Sequence, residues 1–253
     1  MEAEGAVTYC LAAQVDEGLV FASDSRTHAG VDDVSTYRKM HIFEWPGERL
    51  LVMLSAGNLA TTQAVLRALQ RDIDDDGEES LARLETLDAA AAYLGRISVS
   101  CQASAAEAAG ERSQVSLEAT FILGGQIGDQ APAIHLVYPQ GNFITVAGEQ
   151  PFIQIGETQY GKPILDRMIR PGLSLQRAGI CALVSLDSTM RSNLSVGPPV
   201  DLLLYPRDDL TAACHHRLAA EDPYWLSLRQ AWGEGLGRAF DTLPALPGDG
   251  ISE

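Results

Sequence analysis

The sequence has little positive charge: 18 lysines and arginines stand against 34 aspartates and glutamates, which gives a net charge of −16 over 253 residues. Because such a chain repels a phosphate backbone, we expect no nucleic-acid partner. It also lacks an apolar run of about 18 residues, the length that a membrane-spanning helix requires. Residues 1–7 contain neither the basic nor the apolar stretch of a secretory signal peptide. These absences predict a soluble, cytoplasmic protein without a membrane partner.

Cysteine is scarce, and the cysteines are far apart. The four are Cys10, Cys101, Cys181 and Cys214, without the close spacing that is typical of metal sites. We expect buried, reduced thiols. His215 and His216 are adjacent, but neighbours on a chain point in different directions and no third ligand is evident, so we predict no metal site.

The middle of the chain lacks a linker rich in proline, glycine or serine. A hydrophobic content of 46% is ample for a large core. Residues 8–253 are therefore predicted to form one domain that ends in a helical segment at residues 222–241. Residues 1–7 are predicted to be an extension outside that domain.

Two runs rich in β-forming residues, 8–15 and 19–26, are separated by Asp16, Glu17 and Gly18. They predict an antiparallel hairpin whose turn is centred between Asp16 and Glu17. In that register Tyr9 lies opposite Asp24, and a hydroxyl at Thr8 comes close to a carboxylate. A threonine at a free amino terminus carries its own general base, because the α-amine has a pKa of about 7.7 to 8.0. Such a site also needs a nearby cation. Lys39 is a candidate in what we predict to be the next extended segment, although a lone lysine on a strand ordinarily faces solvent.

Several segments resemble the proteasome β-subunit superfamily of N-terminal-nucleophile hydrolases, and most closely the bacterial proteasome-like proteins called Anbu. The resemblance rests on residues 8–10 (TYC), 17–27 (EGLVFASDSRT), 35–41 (STYRKMH), 51–58 (LVMLSAGN), 155–163 (IGETQYGKP) and 187–197 (DSTMRSNLSVG), in that order. It runs from Thr8 to about Tyr205. It implies an α+β fold, the four-layer αββα sandwich, together with a peptide substrate and no cofactor. It further implies self-assembly into a large homo-oligomer, a ring or an open helical ring, and leaves open whether an ATP-driven partner exists.

The resemblance also assigns roles to particular residues. Thr8 is implied as the nucleophile, and Lys39, held by Asp24, would tune its amine and hydroxyl. Gly57 precedes Asn58, which is predicted to be the N-cap of a helix that starts near Leu59. The resemblance implies Gly57 as the oxyanion donor; a simple turn glycine is the alternative. Ser195 occupies the place of a family serine.

Other positions depart from the family pattern. Glu157 stands where proteasome subunits carry a serine, and it either accepts a hydrogen bond from the threonine amine or, as we favour, caps a helix that begins near Tyr160. Ser192 replaces an aspartate three residues before Ser195. Asp187, one helical turn earlier, is a candidate substitute for that carboxylate. These departures predict weak activity.

Residues 1–7 are the main obstacle to the chemistry, because Thr8 has a free amine only after they are removed. The extension is a propeptide, an added tag or the result of a start codon assigned too far upstream, in which case Val7 is the initiator. Val7 also replaces the glycine that precedes the threonine in self-processing proteasome precursors. We expect the chain to be inactive while the extension is retained.

The periodicity of the remaining chain predicts further elements. Helices are expected at residues 80–109, 162–168, 175–186 and 223–240, a meander at residues 115–127, 133–138, 142–147 and 152–155 in the second sheet, and a final strand at residues 200–204. Trp225 and Trp232 suggest that the last helix docks on its own domain or on a neighbouring subunit. The sequence thus predicts a threonine peptidase. The alternatives are a non-catalytic or weakly active assembly subunit and an amidase of small peptides.

Overall fold

The computed structural model describes residues 8–28, 34–110, 116–146, 150–210 and 214–244, so the predicted extension at residues 1–7 lies outside the described residues. The strands are β1 (Tyr9–Val15), β2 (Gly18–Ser23), β3 (Arg26–His28), β4 (Val34–Thr36), β5 (Met40–Trp45), β6 (Arg49–Gly57), β7 (Ala119–Ile127), β8 (Ala133–Val137), β9 (Phe143–Thr145), β10 (Phe152–Gly156), β11 (Val200–Pro206) and β12 (Cys214–Leu218). The helices are α1 (Leu59–Asp74), α2 (Leu87–Ala109), α3 (Lys162–Met168), α4 (Leu175–Ser192) and α5 (Pro223–Asp241). None of these helices combines the length and the apolar character that a membrane crossing requires.

Most strands belong to two five-stranded antiparallel sheets. The first has the order β10-β1-β2-β11-β12 and the second the order β5-β6-β7-β8-β9, while β3 and β4 form a separate pair. In the first sheet Cys10 lies opposite Ser23 and Val15 opposite Gly18, which is the predicted hairpin register. The same register brings Tyr9 beside Asp24, since Asp24 N donates to Tyr9 O.

Strand β1 shows how the layers stack, because its side chains alternate between two apolar clusters. Cys10 and Ala12 belong to the cluster that fills the space between the two sheets. Tyr9 and Leu11 belong to the cluster shared with α3, α4 and α5. A third cluster packs the outer face of the second sheet against α1 and α2. The layers are therefore helices, sheet, sheet and helices, which confirms the predicted αββα sandwich.

Some predicted elements were wrong in extent or in sheet. Helix α2 begins at Leu87 rather than at residue 80, because Thr86 caps it by accepting a hydrogen bond from Ala89 N. Helix α4 continues past residue 186 to Ser192. Strand β10 is predicted in the second sheet but pairs with β1 in the first. Strand β12 was not predicted, since its residues are mostly exposed and polar.

Helix α5 lies within the segment predicted to be helical at residues 222–241. Asp222 caps it by accepting a hydrogen bond from Trp225 N. Trp225 is fully buried in the cluster beneath the first sheet, and the Arg229 guanidinium carbon lies 5.6 Å from its ring centre. Trp225 therefore docks on its own domain. Trp232 is only half-buried.

Candidate active site

Thr8 directly precedes β1 and is buried, with 4% of its surface exposed. Its carbonyl oxygen accepts a hydrogen bond from Glu157 N at 2.6 Å. Gly156 makes this approach possible: its φ is +83°, and a Cβ there would lie 1.9 Å from Thr8 O. The start of β1 is therefore fixed against the end of β10.

Asp24 follows β2 and is completely buried. Its carboxylate accepts hydrogen bonds from the backbone N–H groups of Tyr9, Arg26 and Gly197 at 3.1, 3.2 and 3.3 Å. Lys39 Nζ donates to Asp24 Oδ1 at 2.7 Å. Burial raises the pKa of the Asp24 carboxyl, and Lys39 and the backbone donors oppose that rise. These donors compensate a carboxylate that would otherwise be costly to bury.

Lys39 lies just before β5, and only 7% of its side chain is exposed. Besides Asp24, its ammonium group donates to Arg26 O at 2.7 Å. Two of its three N–H bonds are therefore used by fixed acceptors. The ammonium group is held in one position by the strand ends around it.

Thr8, Lys39 and Gly57 line one cavity of about 210 Å³. Gly57 ends β6 with a φ of +107°, and a Cβ there would lie 2.4 Å from Glu118 O. Asn58 then caps α1 by accepting a hydrogen bond from Thr61 N, as predicted. Because of its backbone conformation and this close approach, the corner between β6 and α1 requires glycine whatever chemistry its N–H performs.

Ser195 lies in the turn that follows α4. This turn lies next to Asp24. Asn193 Oδ1 accepts a hydrogen bond from Ser195 N at 2.9 Å. Gly197, at the end of the same turn, donates its N–H to Asp24. The turn thus reaches the carboxylate through a backbone N–H rather than through the Ser195 hydroxyl.

Glu157 does not cap a helix as predicted, because α3 starts at Lys162 with Gly161 as a cap that makes no side-chain hydrogen bond. Instead, Glu157 Oε1 accepts from Gln159 N at 3.2 Å, and Oε2 accepts from Asn193 Nδ2 at 3.2 Å. Within the described part of the chain, neither oxygen is hydrogen-bonded to Thr8. The side chain links the end of β10 to the turn that carries Ser195.

Asp187 and Ser192 lie on α4 away from this network. Asp187 is buried, and its two oxygens accept hydrogen bonds from Arg191 Nε at 2.9 Å and Arg229 Nε at 2.5 Å. Ser192 is exposed at the end of α4. This differs from the hypothesis that Asp187 compensates for Ser192, because its carboxylate is used to hold α5 on α4.

Sequence reasoning missed Arg26 and Asn193. Arg26 O accepts from Lys39, and Arg26 Nη1 donates to Leu194 O at 2.8 Å. The Arg26 guanidinium fills the space at Gly197, where a Cβ would lie 2.4 Å from Cζ. The position of Arg26, two residues after Asp24, was the available signal. For Asn193 the only sequence signal was its position within a segment that resembles the family.

Only two cysteines are buried as expected, Cys10 and Cys181, while Cys101 is half-buried. All four are free, and burial raises the pKa of the Cys10 thiol and raises that of Cys181 to about 12. Cys214 is exposed instead of buried, with Sγ 3.1 Å from His216 Nε2. Among the described residues, no three His, Cys, Asp or Glu side chains are placed to hold a metal ion.

Comparisons with known proteins give matches among solved structures only, since no family model matches and no curated protein matches significantly. Anbu (ancestral beta-subunit) from Yersinia bercovieri is 43% identical, with a TM-score of 0.89 over 95% of this chain and 100% of that chain. The helical assembly of the Anbu complex from Pseudomonas aeruginosa is 45% identical, with a TM-score of 0.90 over 95% and 98%. Anbu from Hyphomicrobium sp. strain MC1 is 40% identical, with a TM-score of 0.85 over 95% and 100%.

Proposed function

We propose that this chain, which belongs to the Anbu family of proteasome-related proteins, is a peptidase with Thr8 as its N-terminal nucleophile. One observation carries the proposal. Thr8 is buried at the start of β1 and lines the same cavity as Lys39, whose ammonium group is fixed by the buried Asp24. A hydroxyl and a fixed cation that face one cavity are the groups that this chemistry requires.

In the proposed reaction the Thr8 α-amine accepts the proton of the Thr8 hydroxyl, and the Oγ atom attacks the substrate carbonyl. Lys39 favours the neutral form of the amine and stabilises the negative charge that develops. The N–H of Gly57 donates to the oxyanion. The amine leaving group departs with the proton, and an ester to Thr8 remains. Water then attacks that ester, which releases the acid product and restores the hydroxyl.

This mechanism requires the removal of residues 1–7, because an amine engaged in a peptide bond is not a base. The test compares three proteins on fluorogenic peptide amides: the full sequence, the chain that begins at Thr8, and the latter with Thr8→Ala. We expect hydrolysis by the chain that begins at Thr8 to exceed that of both others by at least about 1,000-fold. Equal rates in all three would contradict the proposal. Protein made from the native gene should have the intact mass of a chain that begins at Thr8. A mass that includes residues 1–7 would contradict their removal in the cell.

We also propose that the chain assembles with copies of itself. The support is the Anbu complex of Pseudomonas aeruginosa, which forms a helical assembly. Sedimentation velocity should show species much larger than the monomer of 27.1 kDa. A single species of monomer mass at micromolar concentration would contradict this part of the proposal.

A non-catalytic assembly subunit is the second candidate. Ser192 favours it, because the family pattern has an aspartate at this position. In this chain Ser192 is exposed and lies outside the site. A folded, assembled chain that begins at Thr8 but hydrolyses no peptide would support this candidate. Hydrolysis confined to di- and tripeptides would instead indicate a small-peptide amidase.

A further inference from the structure

A second cavity adjoins the one that contains Thr8. It measures about 480 Å³ and shares Arg38, His41 and Leu66 with the first. Its other polar lining residues are Arg67, Gln70 and His215. The two cavities together, here called the basic groove, extend from Thr8 along β5 to α1.

The charge of the basic groove is opposite to that of the chain. Arg38, Lys39 and Arg67 line it, with two histidines, whereas no Asp or Glu is among its described lining residues. The whole sequence has 34 acidic and 18 basic residues. A cavity that excludes carboxylates in so acidic a chain is suited to an anionic group.

Most of the positive or titratable groups in the basic groove are paired within the protein or favour a neutral form. Lys39 is bound by Asp24, and His215 Nε2 lies 3.0 Å from the buried Asp201. Burial and the neighbouring Arg38 lower the pKa of His41, which favours the neutral form of its side chain.

Among the described residues that line the cavity with Thr8, Arg38 is the cation that remains available. It is exposed, lies at the boundary of both cavities, and makes no hydrogen bond or ion pair with the described residues. A guanidinium group presents a planar pair of donors that fits a carboxylate with two hydrogen bonds. Arg67 lies in the second cavity, farther from Thr8 along the groove.

We propose that the basic groove selects peptides with an acidic side chain on the residue whose carbonyl is attacked, and that Arg38 binds that carboxylate. This inference rests on the proposed peptidase function of the same site. The side chain of that residue is the one closest to Thr8, so it enters the cavity that Arg38 lines. The apolar members of the lining, such as Leu59 and Leu66, contact its methylene groups.

The first test measures turnover by the chain that begins at Thr8. The substrates are peptide amides that differ only in having Glu, Gln, Leu or Lys at the attacked residue. We expect kcat/KM for Glu to exceed that for Gln at least about tenfold, because a charged hydrogen-bonded pair replaces a neutral one. Arg38→Gln should abolish this preference. Equal or higher rates with Gln or Leu, or a preference that survives Arg38→Gln, would overturn the inference.

Arg170→Gln is the matched control, because it removes the same charge from an exposed residue between α3 and α4, in the helix layer on the opposite side of the sandwich. It should leave the preference for Glu unchanged. A similar loss of preference in Arg170→Gln would show that net charge, and not the basic groove, determines selection.

The second test measures binding and does not depend on turnover. Fluorescence anisotropy follows labelled peptide amides ending in Glu or Gln carboxamide as they bind the Thr8→Ala variant of the same chain. The Glu peptide should bind at least about tenfold more tightly, with an advantage that shrinks as salt is added and disappears in Arg38→Gln. Equal affinities would overturn the inference even in an active enzyme. Tight, Arg38-dependent binding without hydrolysis of any peptide would instead contradict the proposed function alone.

Discussion

Asp24 and Asp187 are both buried carboxylates, but the cations that neutralise them differ in placement. Asp24 receives one ammonium group, from Lys39, whose side chain is 7% exposed. Asp187 receives two guanidinium groups, from Arg191 and Arg229, whose side chains are 58% and 35% exposed. Burial of a carboxylate is therefore not enough to identify a site. The informative feature is a buried cation that also faces a cavity.

The two regions also differ in what the ion pair connects. The pair of Asp24 and Lys39 joins the ends of two strands in different sheets, next to Thr8. The Asp187 cluster joins two helices, since Arg229 lies on α5 and Asp187 on α4. The first region is expected to control chemistry and the second the attachment of a helix. The following predictions test that division.

The largest effect is expected for Lys39→Met, which removes the cation from the first region. Activity of the chain that begins at Thr8 should fall at least about 1,000-fold. The single ammonium group that is lost both tunes the amine and stabilises the charged intermediate. The free energy of unfolding should fall by about 3 kcal/mol, because Asp24 keeps its backbone donors but loses its counterion. Peptide hydrolysis and urea unfolding measure the two effects.

Arg49→Met is the matched control for Lys39→Met. The Arg49 side chain is also buried, and its Nη1 donates to Leu81 O and Leu84 O, far along β6 from Gly57. It should lose stability but keep its turnover per folded molecule. A loss of turnover equal to that of Lys39→Met would mean that buried cations act through general stability.

Asp187→Asn should have a smaller effect, confined to stability. The free energy of unfolding should fall by about 1 to 2 kcal/mol, because two charged hydrogen bonds weaken while both arginines remain in contact with water. Turnover per folded molecule should not change. Asp166→Asn, in the exposed pair with Lys162, should change stability by less than about 0.5 kcal/mol. Loss of turnover in Asp187→Asn would restore the hypothesis that Asp187 supports the site.

The smallest effect concerns a region without a link to the site. His135 in β8 is fully buried, with Nδ1 3.0 Å from Thr145 Oγ1, and burial lowers its pKa from 6.5. Asp88 Oδ1 lies 3.2 Å from Nε2 but is not aligned for a hydrogen bond, so it opposes the shift only in part. His135 in the unfolded chain therefore binds a proton more readily than His135 in the folded chain. Stability should fall as the pH drops from 6.5 to the lowered pKa, and stay level below it.

Urea unfolding at several pH values between 7.5 and 5 checks this prediction. His135→Gln should make the fall in stability over this range smaller, while turnover per folded molecule is unaffected. The pH slope of His41→Gln provides a comparison, because burial also lowers the pKa of His41, which lies in the basic groove. An unchanged pH slope in His135→Gln would contradict the assignment.

The sequence predicts most reliably what depends on short-range pattern. The register of β1 and β2 follows from the apolar runs and the turn between them, and it places Tyr9 beside Asp24. The cap at Asn58 follows from a local rule in the same way. The pairing of β10 with β1 was missed, because pairing between distant strands leaves little trace in either segment.

Side-chain partners chosen in three dimensions were harder to predict. Glu157 was expected to interact with a helix terminus or an amine, yet it binds Asn193 across the fold. Asp187 is a predicted substitute for the carboxylate that Ser192 replaces, but α4 presents it to α5 and Arg229. Each depends on how helices sit on the sheets, which periodicity does not determine. Lys39 was identified because the family resemblance outweighed the ordinary interpretation of a strand lysine as solvent-facing.

Covalent labelling with a peptide epoxyketone tests the central claim most directly, because this group reacts with the hydroxyl and the amine of an N-terminal threonine together. The reagent is added to the folded chain that begins at Thr8, to its Lys39→Met variant and to the full sequence, and intact and peptide masses are measured. The account predicts one adduct on Thr8 in the first protein, little in the second and none in the third. No adduct on the folded chain that begins at Thr8, or an adduct on another residue, would contradict it.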